Sequence, residues 1–241
     1  MISRCFAFFL FFLVFNHSGQ AQNIKYKIGD SLFVWASSLN IRETPNSQAR
    51  IVGKVAFGES VRILEDSLEK VPFVYVAQKA KKMEGSEQSK AYRIKGFWVK
   101  VEVRETVGFV FDGYLSKLPP ITLGEDKFGR LESWALKDLK LKSKKVADKK
   151  SESAWTEYFG AKNQVVVRIG HTDKTSFREV RINNISFEEG CMLGMKIFDG
   201  LYLQETTPNR YIFKSEDDNG DCKIFVSKLK TWIVITLDCS S

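Results

Sequence analysis

Alternation is the dominant pattern along the chain. In residues 96–103 (GFWVKVEV), Phe97, Val99, Val101 and Val103 fall on one side, and Trp98, Lys100 and Glu102 on the other. A period of two marks a half-buried strand. Shorter runs at 32–35 (LFVW), 39–42 (LNIR), 51–56 (IVGKVA), 60–64 (SVRIL) and 106–111 (TVGFVF) are separated by turn-rich segments at 43–48 and 57–59. Five or six short strands joined by tight turns predict a small antiparallel barrel.

The pattern then changes. Leu131, Trp134, Ala135, Leu136, Leu139 and Leu141 keep a partial 3–4 spacing, which predicts a helix within 128–160. Residues 137–150 carry seven Lys and two Asp, the composition of a solvated linker or helix face, and 153–159 (SAWTEYF) would open a short helix. Beyond 161 the runs are β again: 165–169, 177–182, 192–198, 201–204, 210–214, 223–226 and 232–237. Turn dipeptides stand at Asn183-Asn184, Asp199-Gly200, Pro208-Asn209 and Asn219-Gly220. This predicts an antiparallel β meander, either a small sandwich or an open barrel.

The first residues add a compartment. Residues 6–15 (FAFFLFFLVF) are ten apolar positions without a charge, Arg4 is the positive flank, and Gly19 and Ala21 are small residues two apart. This reads as a secretory leader, residues 1–21, cut after Ala21. As a helix the apolar run measures about 16 Å against a hydrocarbon core of about 30 Å, too short to span. The expectation is an exported protein, periplasmic or secreted, with no transmembrane segment after cleavage.

Charge divides the chain. The 241 residues hold 37 Lys+Arg and 29 Asp+Glu, a formal charge of +8. From Ala161 onward, eleven bases balance eleven acids, so the whole excess lies upstream. An exported chain makes nucleic acid an unsuitable partner for that excess and leaves anionic envelope material.

Three cysteines follow the leader: Cys191, Cys222 and Cys239. A two-residue turn at Lys230-Thr231 puts Leu229 opposite Trp232. Counting outward, Cys222 then falls opposite Cys239, at a spacing a disulfide can bridge. Pairs that use Cys191, and three reduced thiols, are the alternatives.

Six pieces of the first half resemble, in order, the bacterial SH3-like (SH3b) domains. They are Leu39-Asn40-Ile41-Arg42-Glu43-Thr44-Pro45, Ile51-Val52-Gly53, Phe57-Gly58-Glu59-Ser60-Val61, Trp98-Val99-Lys100-Val101, Gly108-Phe109-Val110 and Gly113-Tyr114-Leu115. The resemblance spans about 30–118. It departs from the family at 67–95, where a short loop is usual; this insertion carries seven bases against three acids, and its 72–77 (PFVYVA) reads as a strand. It is either a basic arm for an anionic partner or a solvated hairpin extension. The resemblance implies a ligand groove beside the first long loop, lined by Glu43, Trp98, Phe109 and Tyr114. Trp98 is open to that groove or sealed beneath the insertion.

The expected fold class is therefore mainly β. It comprises an SH3-like barrel at 30–118, a short helical Lys-rich connector at 125–160, and a C-terminal β domain at 161–241 that resembles no family.

Catalytic chemistry finds little support. The chain has two His, and His171, the only one past the leader, precedes every candidate Cys nucleophile. One His cannot build a zinc peptidase site, and no Gly-x-Ser-x-Gly elbow occurs. Glu188-Glu189 and 216–218 are adjacent acids of turns and edges. Residues 215–226 set Val226 where a calcium loop needs Glu. The expectation is a non-catalytic binding protein without cofactor or metal, its SH3b domain taking a peptide, peptidoglycan or an envelope protein. The alternatives are a structural or protein-interaction component without a groove, and an accessory wall-active hydrolase.

Overall fold

The computed structural model describes residues 26–65, 72–83, 88–121, 130–148, 153–160, 164–171, 175–198, 200–215 and 222–240. The leader, the Asn219-Gly220 turn and part of the insertion lie outside them. Among the described residues, no helix is long and apolar enough to cross a membrane.

The chain is mainly β, in two antiparallel sheets. The first holds β1 (Ser31–Val34), β2 (Ser38–Arg42), β3 (Ile51–Ala56), β4 (Ser60–Ile63), β5 (Pro72–Gln78), β6 (Tyr92–Val103), β7 (Thr106–Phe111) and β8 (Leu115–Ser116). Their order is β3-β2-β7-β6-β4-β1-β8, with β5 added on β6. That ladder has two ends, so the barrel is open. A 3-10 turn, Asp112–Tyr114, joins β7 to β8.

Twelve-residue β6 serves two packing layers. Its second half buries Val99, Val101 and Val103 inside the barrel, as the alternation predicts. Its first half buries the opposite face, Tyr92, Ile94 and Trp98. That face is covered by the C-terminal Phe213 at Tyr92 and by the turn at Gly113 beside Ile94, while β5, paired with β6 from Pro72↔Phe97 to Gln78↔Tyr92, adds Phe73 against Trp98.

The connector departs from the expected helix. Among its described residues, only α1 (Arg130–Ser133) and the π-helical turn Trp134–Asp138 are helical. The lysine run continues as β9 (Lys142–Asp148), and 153–159 forms β10 (Ser153–Phe159), paired in register from Lys142↔Phe159 to Asp148↔Ser153. β9 is the outer strand of the second sheet, and lysines on an edge strand oppose further strand pairing. With most of its side chains exposed, it shows no apolar alternation to read.

The second sheet continues through β11 (Val165–His171), β12 (Thr175–Asn183), β13 (Leu201–Thr207), β14 (Arg210–Ser215), β15 (Cys222–Leu229) and β16 (Trp232–Ser240). Its order is β13-β14-β15-β16-β12-β11-β10-β9. The apolar run 192–198, expected as a strand, belongs instead to helix α2 (Phe187–Ile197). The Ser186 side chain accepts a hydrogen bond from Glu189 N at 3.0 Å and caps it. Gly190 and Gly194, one turn apart, let the helix lie on Ile233 and on Val226 and Ile235. The disulfide joins Cys222 and Cys239, register partners across β15 and β16, and Leu229 faces Trp232 as the turn count requires. Lys230 holds the turn at φ +57°. Cys191 is a buried free thiol.

The two sheets touch through several elements. Trp134 packs edge-on against Trp35, 6.3 Å between centroids, and its Nε1 donates to Pro119 O. Gln78 Nε2 donates to Leu201 O, Lys90 N to Leu203 O, and Tyr92 meets the Phe213 ring edge-on at 5.5 Å.

Candidate functional site

A cavity of about 290 Å³ opens over Trp98. β6 supplies Trp98, which is 8% exposed, and β7 supplies its register partner Phe111. β5, the strand of the insertion, adds Phe73 and Tyr75. Phe73 lies 5.2 Å from both Trp98 and Phe111, and Tyr75 lies 5.8 Å from Tyr114. The alternation of β5 explains this placement: Phe73 and Tyr75 share one side, and Val74 and Val76 take the other, where they are exposed. The insertion therefore neither seals Trp98 nor leaves it bare; it builds a wall of the groove. The other rim comes from the start of β2 and the loop after it, with Ser37, Ser38, Asn40, Arg42 and Ser47.

The aromatic wall is held from behind by Asp112. Its carboxyl oxygens accept from Tyr26 OH at 2.8 Å and from Phe97 N at 2.7 Å, fixing the end of β7 on β6. The approach is close: a Cβ on Gly96 would overlap Asp112 Oδ1, and one on Gly113 would meet Ile94 Cγ2 at 2.6 Å. Glycine is required at both places by contact rather than by backbone angle.

Two of the four residues expected in a groove come together here, Trp98 and Tyr114. Glu43 lies outside: it is exposed and paired with Arg50 at 2.9 Å, and that hydrogen bond holds its carboxyl below the usual range. Phe109 shares the face of Phe111 but lies two residues nearer the β6–β7 turn, opposite Lys100, whose Nζ sits 6.0 Å from its ring. Sequence reasoning did not single out Phe73, Tyr75, Phe111, Arg42 or Lys196 for the groove. Lys196 comes from α2, its Nζ 5.6 Å from the centre of the Tyr114 ring. The Ser186-x-x-Glu189 capping pattern is the trace in the sequence that would have revealed this helix. Burial pushes the Tyr114 hydroxyl pKa up and the Lys196 ammonium pKa down.

A second, wider concavity of about 840 Å³ lies on the C-terminal sheet, over Phe159, Val166, Trp232 and Val234. Of its five lining cations among the described residues, Lys144, Arg168, Arg181, Lys228 and Lys230, the first three are ion-paired. Glu157 meets Lys144 at 2.8 Å and Arg168 at 2.7 Å, and Glu179 meets Arg181 at 2.7 Å. Elsewhere, Cys191 is buried on α2, and burial raises its thiol pKa well above the usual value. His171 stands exposed at the end of β11.

An open SH3-like barrel with an aromatic groove defines a class of binding domain, and the comparison with known families agrees. Residues 37–116 match the family model for the bacterial SH3 domain, enclosing all six motifs from Leu39 to Leu115 and lying within the expected span of about 30–118. The C-terminal region matches no family model. No curated protein and no solved structure matches the chain. A bacterial SH3 domain points to a binding or cell-wall-associated role.

Proposed function

We propose that this is an exported, non-catalytic binding protein whose groove over Trp98 takes a short peptide of the cell envelope, the stem peptides of peptidoglycan in particular. The observation that carries this reading is the groove itself, an aromatic floor and wall with a polar rim. Its volume of about 290 Å³ is at the small end of ligand sites and suits one or two residues of a peptide rather than a glycan chain. Rigid aromatic rings offer large contact area at low entropic cost. The burial of Cys191, which raises its thiol pKa, argues against this residue as a nucleophile. The apolar leader at 6–15 favours export.

Sedimentation with purified peptidoglycan tests the binding. The intact protein should pellet with the polymer, and Trp98→Ala, shown folded by circular dichroism, should stay largely in the supernatant. Failure of the wild type to pellet, or indifference to Trp98, would remove the groove from the function. Release of soluble muropeptides by the protein would overturn the non-catalytic reading. A second reading, an interaction component that uses no groove, draws on one observation: Phe73 packs at a tilt against Trp98, which is 8% exposed.

A further inference from the structure

We infer that the groove recognises a carboxylate on its peptide, and that Lys196, supplied by the C-terminal unit, completes the SH3-like site together with Arg42. This rests on the groove reading above and names the chemistry of its ligand.

Among the described residues, the lining of the groove contains two cations, Arg42 and Lys196, and no acid. They stand at the edge of an aromatic cavity, where a charge is less screened than at an open surface. Among the described residues neither has a carboxylate partner: Arg42 donates Nη1 to Ala49 O at 2.6 Å, and Lys196 rests on the Tyr114 ring. The contact to Ala49 pins one end of the Arg42 guanidinium and leaves its other donors for a ligand. Part of the C-terminal sheet is arranged differently: of the cations that line its concavity, Lys144, Arg168 and Arg181 are partnered by Glu157 and Glu179, while Lys228 and Lys230 have no carboxylate partner among the described residues. The groove holds its positive charge unmatched, and half-burying an ammonium without a counter-charge is unfavourable. An incoming carboxylate removes that cost and accepts charge-assisted hydrogen bonds, while the aromatic rings pack against the adjoining side chain.

The geometry also assigns α2 a part in binding. Lys196 is the residue through which the C-terminal unit reaches the groove, so the SH3-like part alone presents an incomplete site.

Titration calorimetry on the intact protein tests this with two probes. One is a pool of stem peptides freed from purified peptidoglycan; the other is the same pool with its carboxylates converted to amides. The free pool should bind at least about tenfold more tightly than the amidated one, the worth of one charge-assisted hydrogen bond. Lys196→Gln should weaken the free pool by about tenfold and leave the amidated pool unchanged, and Lys196→Arg should restore the preference. Trp98→Ala should weaken both pools alike. If Lys196→Gln disturbs folding, Arg42→Gln on the other unit should reproduce the loss of preference. Equal binding of the two pools by the wild type, or a preference that survives Lys196→Gln, overturns the carboxylate inference and leaves the groove standing. Absence of binding to either pool overturns both.

Discussion

Asp112 is 5% exposed, and its side chain accepts from a tyrosine hydroxyl and a backbone amide that lie 86 and 15 residues away in sequence. A buried acceptor of this kind is costly to remove, because its donors stay behind without water. Asp112→Ala should therefore lower stability by about 3 kcal/mol, measured by urea unfolding, and should loosen the ring of Trp98 as a red shift in its fluorescence. A loss below about 1 kcal/mol would mean that water replaces the carboxylate and that the groove does not depend on it. Tyr92 is the opposite case. Its ring packs on Phe213, but its hydroxyl is buried with no hydrogen-bond partner among the described residues, and burial pushes its pKa well up. Tyr92→Phe keeps the packing and drops the unsatisfied group, so it should stabilise by about 1 kcal/mol in the same assay; destabilisation would reveal a partner for the hydroxyl. At this scale the sequence is legible where a side chain follows the strand period, as Trp98 does, or falls in a motif of the resemblance, as Tyr114 does in Gly113-Tyr114-Leu115. It is silent on Asp112, whose role comes from donors brought together only by the fold.

Elements were readable when their own residues settle the period. The β15–β16 hairpin is the clearest case: a two-residue turn and strict antiparallel pairing are enough to place Cys222 opposite Cys239. The bridge closes a loop with a sequence separation of 17. Its removal by Cys222→Ser with Cys239→Ser should cost about 3 kcal/mol through the restored freedom of the unfolded chain. Thermal unfolding with and without reductant checks this: reductant should lower the midpoint of the wild type and leave that of the double variant in place. Helix α2 was misread because its apolar run, 192–198, has the length and composition of a buried strand, and the two patterns cannot be separated by periodicity alone. What decides the matter is a surface to lie on: Gly190 and Gly194 fit the face of β15 and β16, which is absent from any local window. The lysine run of β9 was misread for the converse reason. As an edge strand with most side chains in water it carries no apolar face, and its partner β10 alone determines its state.

Across the whole molecule, the charges fall into two populations with different consequences. Among the described residues Arg42 and Lys196 of the groove have no carboxylate partner, whereas the C-terminal sheet ties strands β9 to β12 together through Glu157 and Glu179. The hydrogen bond from Lys144, more than the one from Arg168, holds the Glu157 carboxyl below its usual range, and burial only partly offsets them. A carboxyl whose pKa is lower in the folded state than in the unfolded one binds fewer protons when folded. Its stabilising contribution is then complete above the unfolded value, near 4.5, and is lost as the pH falls through the folded value. Asp30 and Glu59 are shifted in the same direction, led by the hydrogen bonds from Lys117 and from Ala56 N respectively. The chain also starts from +8 at neutral pH, so each protonated acid adds to a net repulsion already present. The thermal midpoint should thus hold steady from neutral pH down to the ordinary carboxylate range and fall below it. Glu157→Gln isolates one contribution: it leaves Lys144 and Arg168 without their counter-charge near neutrality, where the variant should melt below the wild type. In acid, protonated Glu157 is as neutral as the glutamine, and the gap between the two midpoints should close. Scanning calorimetry over that pH series reads the gap directly, and a gap that stays constant into acid would mean that Glu157 stabilises the sheet by packing rather than by charge.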